Sequence, residues 1–203
     1  MKKVLIKMLI GLLTILAIWT ILTFWAEAEG ESKTWEAGNS LSHKKVLIVY
    51  DPDPFYNLDQ QVCEAVGNVL AKNGWHVTYQ TVKAAKKRSN TKFSLYVFCA
   101  NTYNWSPDWS ITSFIKKDIV IKGKNVAALT LGGGSTRRAQ RLFENEIIER
   151  GGVLLGSRAY WLWRPNDDSR LKEFNVKIAV EIAEKFGKEI VVSIKSDSDE
   201  IRK

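Results

Sequence analysis

Cysteine and histidine are scarce, with two of each in 203 residues. Cys63 and Cys99 are too far apart for a zinc or Cys-x-x-C pattern, so neither a thiolate metal site nor a dithiol redox motif is expected. Two small buried thiols are the preferred reading over a Cys63–Cys99 disulfide. His43 falls in a polar stretch and His76 in an apolar-flanked run, and no motif sets either beside a serine or cysteine. That arrangement does not support a nucleophile–histidine hydrolase. Four prolines and thirteen glycines are too few for a low-complexity chain, and 45% hydrophobic with 26% charged residues is ordinary for a globular one. Two of the four prolines fall in a single turn, Pro52 and Pro54.

Charge is not scarce. Thirty basic residues against 22 acidic ones give a net charge of +8, concentrated at Lys2, Lys3 and Lys7, at Lys83 to Lys92, and at Arg137, Arg138 and Arg141. No basic stripe is interleaved with aromatics within one element, so no nucleic-acid partner is expected. Most of this charge reads as solvated surface, and a membrane-facing surface accounts for its sign equally well.

One long uncharged run, Met8 to Trp25, is extended backwards by Val4-Leu5-Ile6 across Lys7. At about 1.5 Å per residue it is long enough to cross the hydrocarbon core of a bilayer. Residues 1–25 are therefore read as a transmembrane anchor, with residues 4–25 in contact with lipid. The lysines precede the run and Glu27, Glu29, Glu31 and Glu36 follow it, which places the N-terminus in the cytoplasm and the soluble domain on the extracytoplasmic side. A cleaved signal segment is the alternative, because Ala26-Glu27-Ala28 has the small-x-small form of a cleavage site. Residues 26–44 are polar and without periodicity and read as a tether; residues 188–203 read as a polar tail with a disordered end.

Between them, residues 45–187 alternate strand-like and helical patterns. The strands are Lys45 to Tyr50, Trp75 to Val82, Phe93 to Ala100, Asn125 to Leu131 and Val153 to Ser157. The helices are Leu58 to Lys72, a short one near Ala84 to Ser89, Ser110 to Lys117, Thr136 to Arg150 and Arg170 to Phe186. Runs such as Val46-Leu47-Ile48-Val49 are continuously apolar, as parallel strands covered on both faces require. The expected fold class is a three-layer α/β sandwich on a five-stranded parallel sheet. In the last helix Leu171, Phe174, Ile178, Ile182 and Phe186 fall at helical spacing and read as one buried stripe.

Ligands of such sheets bind beyond the carboxyl ends of the strands. The loops there are Asp51-Pro52-Asp53-Pro54-Phe55-Tyr56-Asn57, Asn101 to Trp109, Gly132 to Thr136, and Tyr160 to Trp163. Three carry aromatics and one is rich in glycine, an arrangement suited to a flat heterocycle: rings stack on it and glycine admits backbone N–H groups to its edge. The aromatic loop of the form Asn-x-Tyr-x-Trp-x-Pro after the third strand, Gly132-Gly133-Gly134 after the fourth, and the helix leading to Gly151-Gly152-Val153 resemble the flavodoxin family over about Lys45 to Gly187. The resemblance implies strand order 2-1-3-4-5 and FMN as cofactor. It implies that Tyr103 and Trp105, in a polar loop with Asn101 and Asn104, stack on or flank the ring. Gly132, Gly133, Gly134 and Ser135 would meet its polar edge, and Asn57 would lie in the phosphate turn. Electron transfer to a redox protein partner is the expected function.

The phosphate turn departs from the family. Hydroxyls and glycine are expected there, and Pro52 and Pro54 offer no N–H while Asp51 and Asp53 repel an anion. Arg137 and Arg138, after the glycine loop, are the alternative anion seat. A flavodoxin-like module without FMN, acting as a protein-binding or scaffold domain, is therefore the second reading.

Overall fold

A computed structural model describes residues 2–87 and 93–200, so the ends of the short helix and of the basic cluster expected before residue 93 lie outside the described residues, as do the last three residues. In chain order the helices are α1 (Lys2–Ala26), α2 (Leu58–Lys72), α3 (Val82–Ala85), α4 (Trp109–Lys117), α5 (Arg137–Glu149) and α6 (Asn175–Glu200). The strands are β1 (Thr34–Gly38), β2 (Lys45–Tyr50), β3 (His76–Thr81), β4 (Leu95–Tyr103), β5 (Ser106–Pro107), β6 (Asn125–Gly132) and β7 (Val153–Trp161). The sheet order is β1-β3-β2-β4-β6-β7, with β5 paired to β4. Strands β3, β2, β4, β6 and β7 are mutually parallel, in the order 2-1-3-4-5 among themselves.

Alternation along β2 divides the core. Val46, Ile48 and Tyr50 face one layer, with Val62, Val66 and Leu70 of α2 and Ala179, Ala183 and Phe186 of α6. Leu47 and Val49 face the other, with Ile111, Phe114 and Ile115 of α4 and Phe143 and Ile147 of α5. Each aliphatic or aromatic side chain so covered contributes about 1.5–3 kcal/mol of burial. Cys63 and Cys99 are both buried and free.

Three sequence expectations are corrected. The segment read as a tether supplies β1, an antiparallel edge strand that pairs Thr34–Gly38 with Gln80–His76. Its polar residues alternate with Trp35 and Ala37, which face inward, and an edge strand with one solvated face needs no more apolar content than that. Helix α6 begins at Asn175 and continues into the tail to Glu200, so Leu171 and Phe174 precede it and are exposed, outside the stripe that Ile178, Ala179, Ala183 and Phe186 form. Strand β7 runs on to Trp161.

Trp35 stacks on Tyr79 (centroids 5.0 Å apart, planes 9° from parallel) and meets Tyr50 edge-on. Trp35→Ala should therefore destabilise the protein by about 2–3 kcal/mol. Urea unfolding measures this, and a loss below about 0.5 kcal/mol would mean that β1 is not part of the cooperative fold.

Candidate functional site

The carboxyl ends of β2, β4, β6 and β7 bring the loops together at one edge of the sheet. In the loops after β2 and β4, backbone N–H groups are met by carboxylates of the chain itself. Asp53 is the centre of the first loop: its Oδ1 accepts from the N–H groups of Phe55 (2.7 Å) and Tyr56 (3.3 Å), and its Oδ2 accepts from the Tyr103 hydroxyl (2.6 Å). Asp59, in the first turn of α2, accepts from Asp53 N–H (2.7 Å) and Gln60 N–H (2.7 Å). Asn101 donates its side-chain amide to the Asp51 carbonyl (3.1 Å) and to Asp59 (3.4 Å), tying β4 to this loop. Asp108 caps α4 through Ile111 N–H (2.8 Å) and also accepts from Asn101 N–H (3.0 Å).

The chain leaving α1 is clamped to the same edge. Glu27 accepts from Trp109 N–H (2.7 Å) and Asp51 from Gly30 N–H (3.0 Å). Burial pushes the Glu27 carboxyl up to about 7 and Asp59 up to about 6, and raises Asp51 and Asp108 as well; in each case the N–H donors oppose the shift without cancelling it.

Two cavities open on this edge. One, of about 390 Å³, is lined by Trp105, Gly133, Gly134, Ser135 and Trp163, with Trp19 of α1 at its rim. Trp105 reaches it from the two-residue turn between β4 and β5, where Asn104 (φ 48°) and Trp105 (φ 59°) both adopt left-handed conformations. Such turns favour asparagine followed by glycine. A tryptophan in the glycine place is strained by about 1 kcal/mol or more, and its indole is 57% exposed. The strain is consistent with a position kept for its side chain. On the opposite wall a Cβ on Gly133 would stand 2.7 Å from the Trp163 ring, so glycine is required there by close approach. The second cavity, of about 400 Å³, is lined by Glu31, Pro52, Asp53, Pro54, Asn57 and Asp59 among others.

No protein-family model matches this sequence, and no curated protein matches it. Solved structures do. Oxidised flavodoxin 1 from Bacillus cereus aligns at a TM-score of 0.52 and 14% identity, over 73% of this chain and 97% of that one. A short-chain flavodoxin associated with a PDU bacterial microcompartment aligns at 0.55 and 15%, over 74% and 98%. The rubredoxin:oxygen oxidoreductase of Desulfovibrio gigas aligns at 0.54 and 11%, over 74% of this chain and 37% of the enzyme. The fold is flavodoxin-like.

FMN, the cofactor implied by the family resemblance, fits one half of this flavodoxin-like edge and not the other. The slot between Trp105 and Trp163, with Gly134 and Ser135, suits a flat ring. In the first loop the N–H groups of Asp53, Phe55 and Tyr56 already serve Asp59 and Asp53. Glu31, Asp53 and Asp59 line the adjoining cavity, and among the described residues no lysine or arginine does. A carboxylate about 4 Å from a phosphate charge repels it by about 4 kcal/mol at an effective dielectric constant of about 20, more than one charge-assisted hydrogen bond returns. The phosphate does not fit this turn.

Of the residues expected from sequence, Asn104, Trp105, Gly133, Gly134 and Ser135 line the slot. Gly132 ends β6 beneath it, packed against Thr102 and Thr136. Tyr103 does not line the slot, because its hydroxyl is held by Asp53. Asn101 is buried as a tie between loops, and Asn57 lies in the acidic cavity with its side-chain oxygen accepting from Gln61 (2.6 Å). Arg137 and Arg138 are exposed in the first turn of α5. Sequence reasoning missed Asp59, Glu27 and Trp109. It missed Asp108 as well, for which the signal was an aspartate after a proline and before Trp-Ser-Ile, an N-terminal helix signature.

Trp105→Gly should relax the turn and leave stability unchanged or raised by about 1 kcal/mol. Chemical denaturation tests this, and a loss of stability would show that the indole serves packing. Burial lifts the carboxyl pKa values above those of the unfolded chain, so the folded state holds more protons between about pH 4 and 7. Stability is then fully present at the acid end of that window and is lost as pH rises through about 6 to 7. The urea midpoint should be higher near pH 5 than near pH 7.5, with a shallower difference in Asp59→Asn; a midpoint that climbs across the window would contradict the burial of these acids.

Proposed function

We propose that this chain is a membrane-anchored, flavodoxin-like binding module without FMN, in which a carboxylate of the chain occupies the place of the phosphate and the slot between Trp105 and Trp163 is the recognition site. The observation that carries this reading is the set of bonds to Asp53 from Phe55 N–H, Tyr56 N–H and the Tyr103 hydroxyl. The slot lining supports an uncharged, flat ligand group: it holds indoles, glycines, small hydroxyl side chains and the Asn104 carboxamide, with no acidic or basic residue among the described residues that line it.

Anchoring is supported by α1, which is long and apolar enough to cross a bilayer and has no residue buried against the rest of the chain. Retention of the segment, as opposed to cleavage after Ala28, is supported by Glu27, which is buried and holds the first N–H group of α4. The lysines at positions 2, 3 and 7 orient the domain to the extracytoplasmic side.

A second reading, flavin-dependent electron transfer to a redox protein partner, is favoured by the ring-sized aromatic slot. Titration of the detergent-solubilised full chain with FMN and with riboflavin, followed by flavin fluorescence, separates the two. The module reading expects no saturable binding of either at high micromolar concentration. It also expects Asp53→Ser, which frees two N–H groups and removes a charge, to raise FMN affinity at least about tenfold relative to riboflavin. Equal binding of both flavins by the wild-type chain would favour the second reading. Tighter binding of FMN than of riboflavin would mean that a phosphate is seated, and the module reading would fail.

A further inference from the structure

Outside α1, the exposed large aromatic side chains among the described residues are Phe55, Trp105, Trp109, Trp163 and Phe174, between 46% and 85% exposed. They come from distant parts of the sequence, and all lie at the carboxyl edge of the sheet. Phe55 follows β2, Trp105 and Trp109 follow β4, and Trp163 follows β7. Phe174 is placed there by Asn175, whose side-chain amide donates to the carbonyls of Trp161 (2.8 Å), Leu162 (3.1 Å) and Arg164 (2.7 Å). The exposed apolar residues of the opposite edge, Leu41, Val120 and Val153, are aliphatic. Tryptophan, three of these five, is enriched at the headgroup level of bilayers, where one end of its ring is apolar and the other wet, and the two phenylalanines add apolar surface beside it.

Helix α1 joins the domain at this edge. Phe24 meets Trp109 edge-on (5.6 Å), Trp25 meets Phe55 (5.1 Å), Asn104 donates to the Thr23 hydroxyl (3.1 Å), and Trp19 stands at the rim of the slot. The apolar segment, residues 4–25, makes about 33 Å of helix, against about 30 Å of hydrocarbon core. It has less than one turn to spare. A helix that needs nearly its whole apolar length to cross carries residues 19–25 into the membrane, and the loops touching those residues go with them.

We infer that the carboxyl edge of the sheet is seated in the headgroup region of the bilayer, with Phe55, Trp105, Trp109, Trp163 and Phe174 inserted, so that the slot between Trp105 and Trp163 opens at the lipid surface. The inference rests on α1 spanning the bilayer and is independent of what the slot binds. The loops at this edge carry charges of both signs, Asp53, Asp167 and Asp168 among the acids and Arg137, Arg138 and Arg164 among the bases, so attachment is assigned to the aromatic side chains and does not require anionic lipid.

The test uses the full chain in phosphatidylcholine vesicles containing a lipid nitroxide placed near the headgroup. Phe174→Cys and Leu41→Cys, both at exposed positions, are labelled separately with an environment-sensitive fluorophore. Position 41 lies beyond the amino end of β2, on the order of 20 Å farther out. Quenching at least about threefold stronger at position 174 than at 41 is expected, with or without anionic lipid. Equal quenching in a chain that resists alkaline extraction would overturn the seating while leaving the anchor intact. Release of the chain by alkaline carbonate would overturn the anchor and the seating together.

Discussion

A parallel sheet ends in loops whose N–H groups have no strand to pair with, and every such edge needs something to accept them. In this protein the acceptors are carboxylates held within the chain. Asp53 serves Phe55, Tyr56 and the Tyr103 hydroxyl; Asp59 serves Asp53 and Gln60; Asp108 serves Asn101 and Ile111. Each charge-assisted bond contributes roughly 1.5–3 kcal/mol, against the desolvation that lifts the pKa values of the buried acids. The geometry of the loops after β2 and β4 follows from these bonds. The same bonds occupy the donors that an anionic ligand would need.

The two ends of the edge thus diverge. The first loop is acidic and internally hydrogen-bonded. The slot beyond it is open, aromatic and uncharged, with Trp105 presented from a strained turn. On the proposed reading, a ligand recognised there would carry no anionic group near Asp53, whose carboxylate accepts from the N–H groups of its own turn. Glu27 and Asp51 extend the network to the chain leaving α1, so the apolar helix is attached to the domain by the same chemistry that shapes the loops.

How much of this was legible depended on which side of an element is buried. Val46 to Val49 and Leu95 to Phe98 read plainly as central strands because both faces are covered and almost every position is apolar. Thr34–Gly38 did not, because an edge strand with one wet face carries only Trp35 and Ala37 as signal. Leu171 and Phe174 matched the helical spacing of α6, yet Asn175 begins that helix by bonding back to the end of β7 and leaves both outside the buried stripe. Periodicity cannot show where a helix starts when its cap is a tertiary contact.

Residue order alone established the α/β alternation, the apolar N-terminal helix and the gathering of aromatics and glycines in the loops, since these follow from local pattern and from the rule that ligands meet the carboxyl ends of strands. It also showed that Pro52, Pro54 and the two aspartates were wrong for a phosphate turn. Three-dimensional packing alone settled that Tyr103 faces Asp53 while Trp105 faces the slot, and that α1 docks on the same edge. Those outcomes depend on contacts between residues far apart in the chain, such as Asp53 and Tyr103, 50 positions apart, and no local pattern carries them.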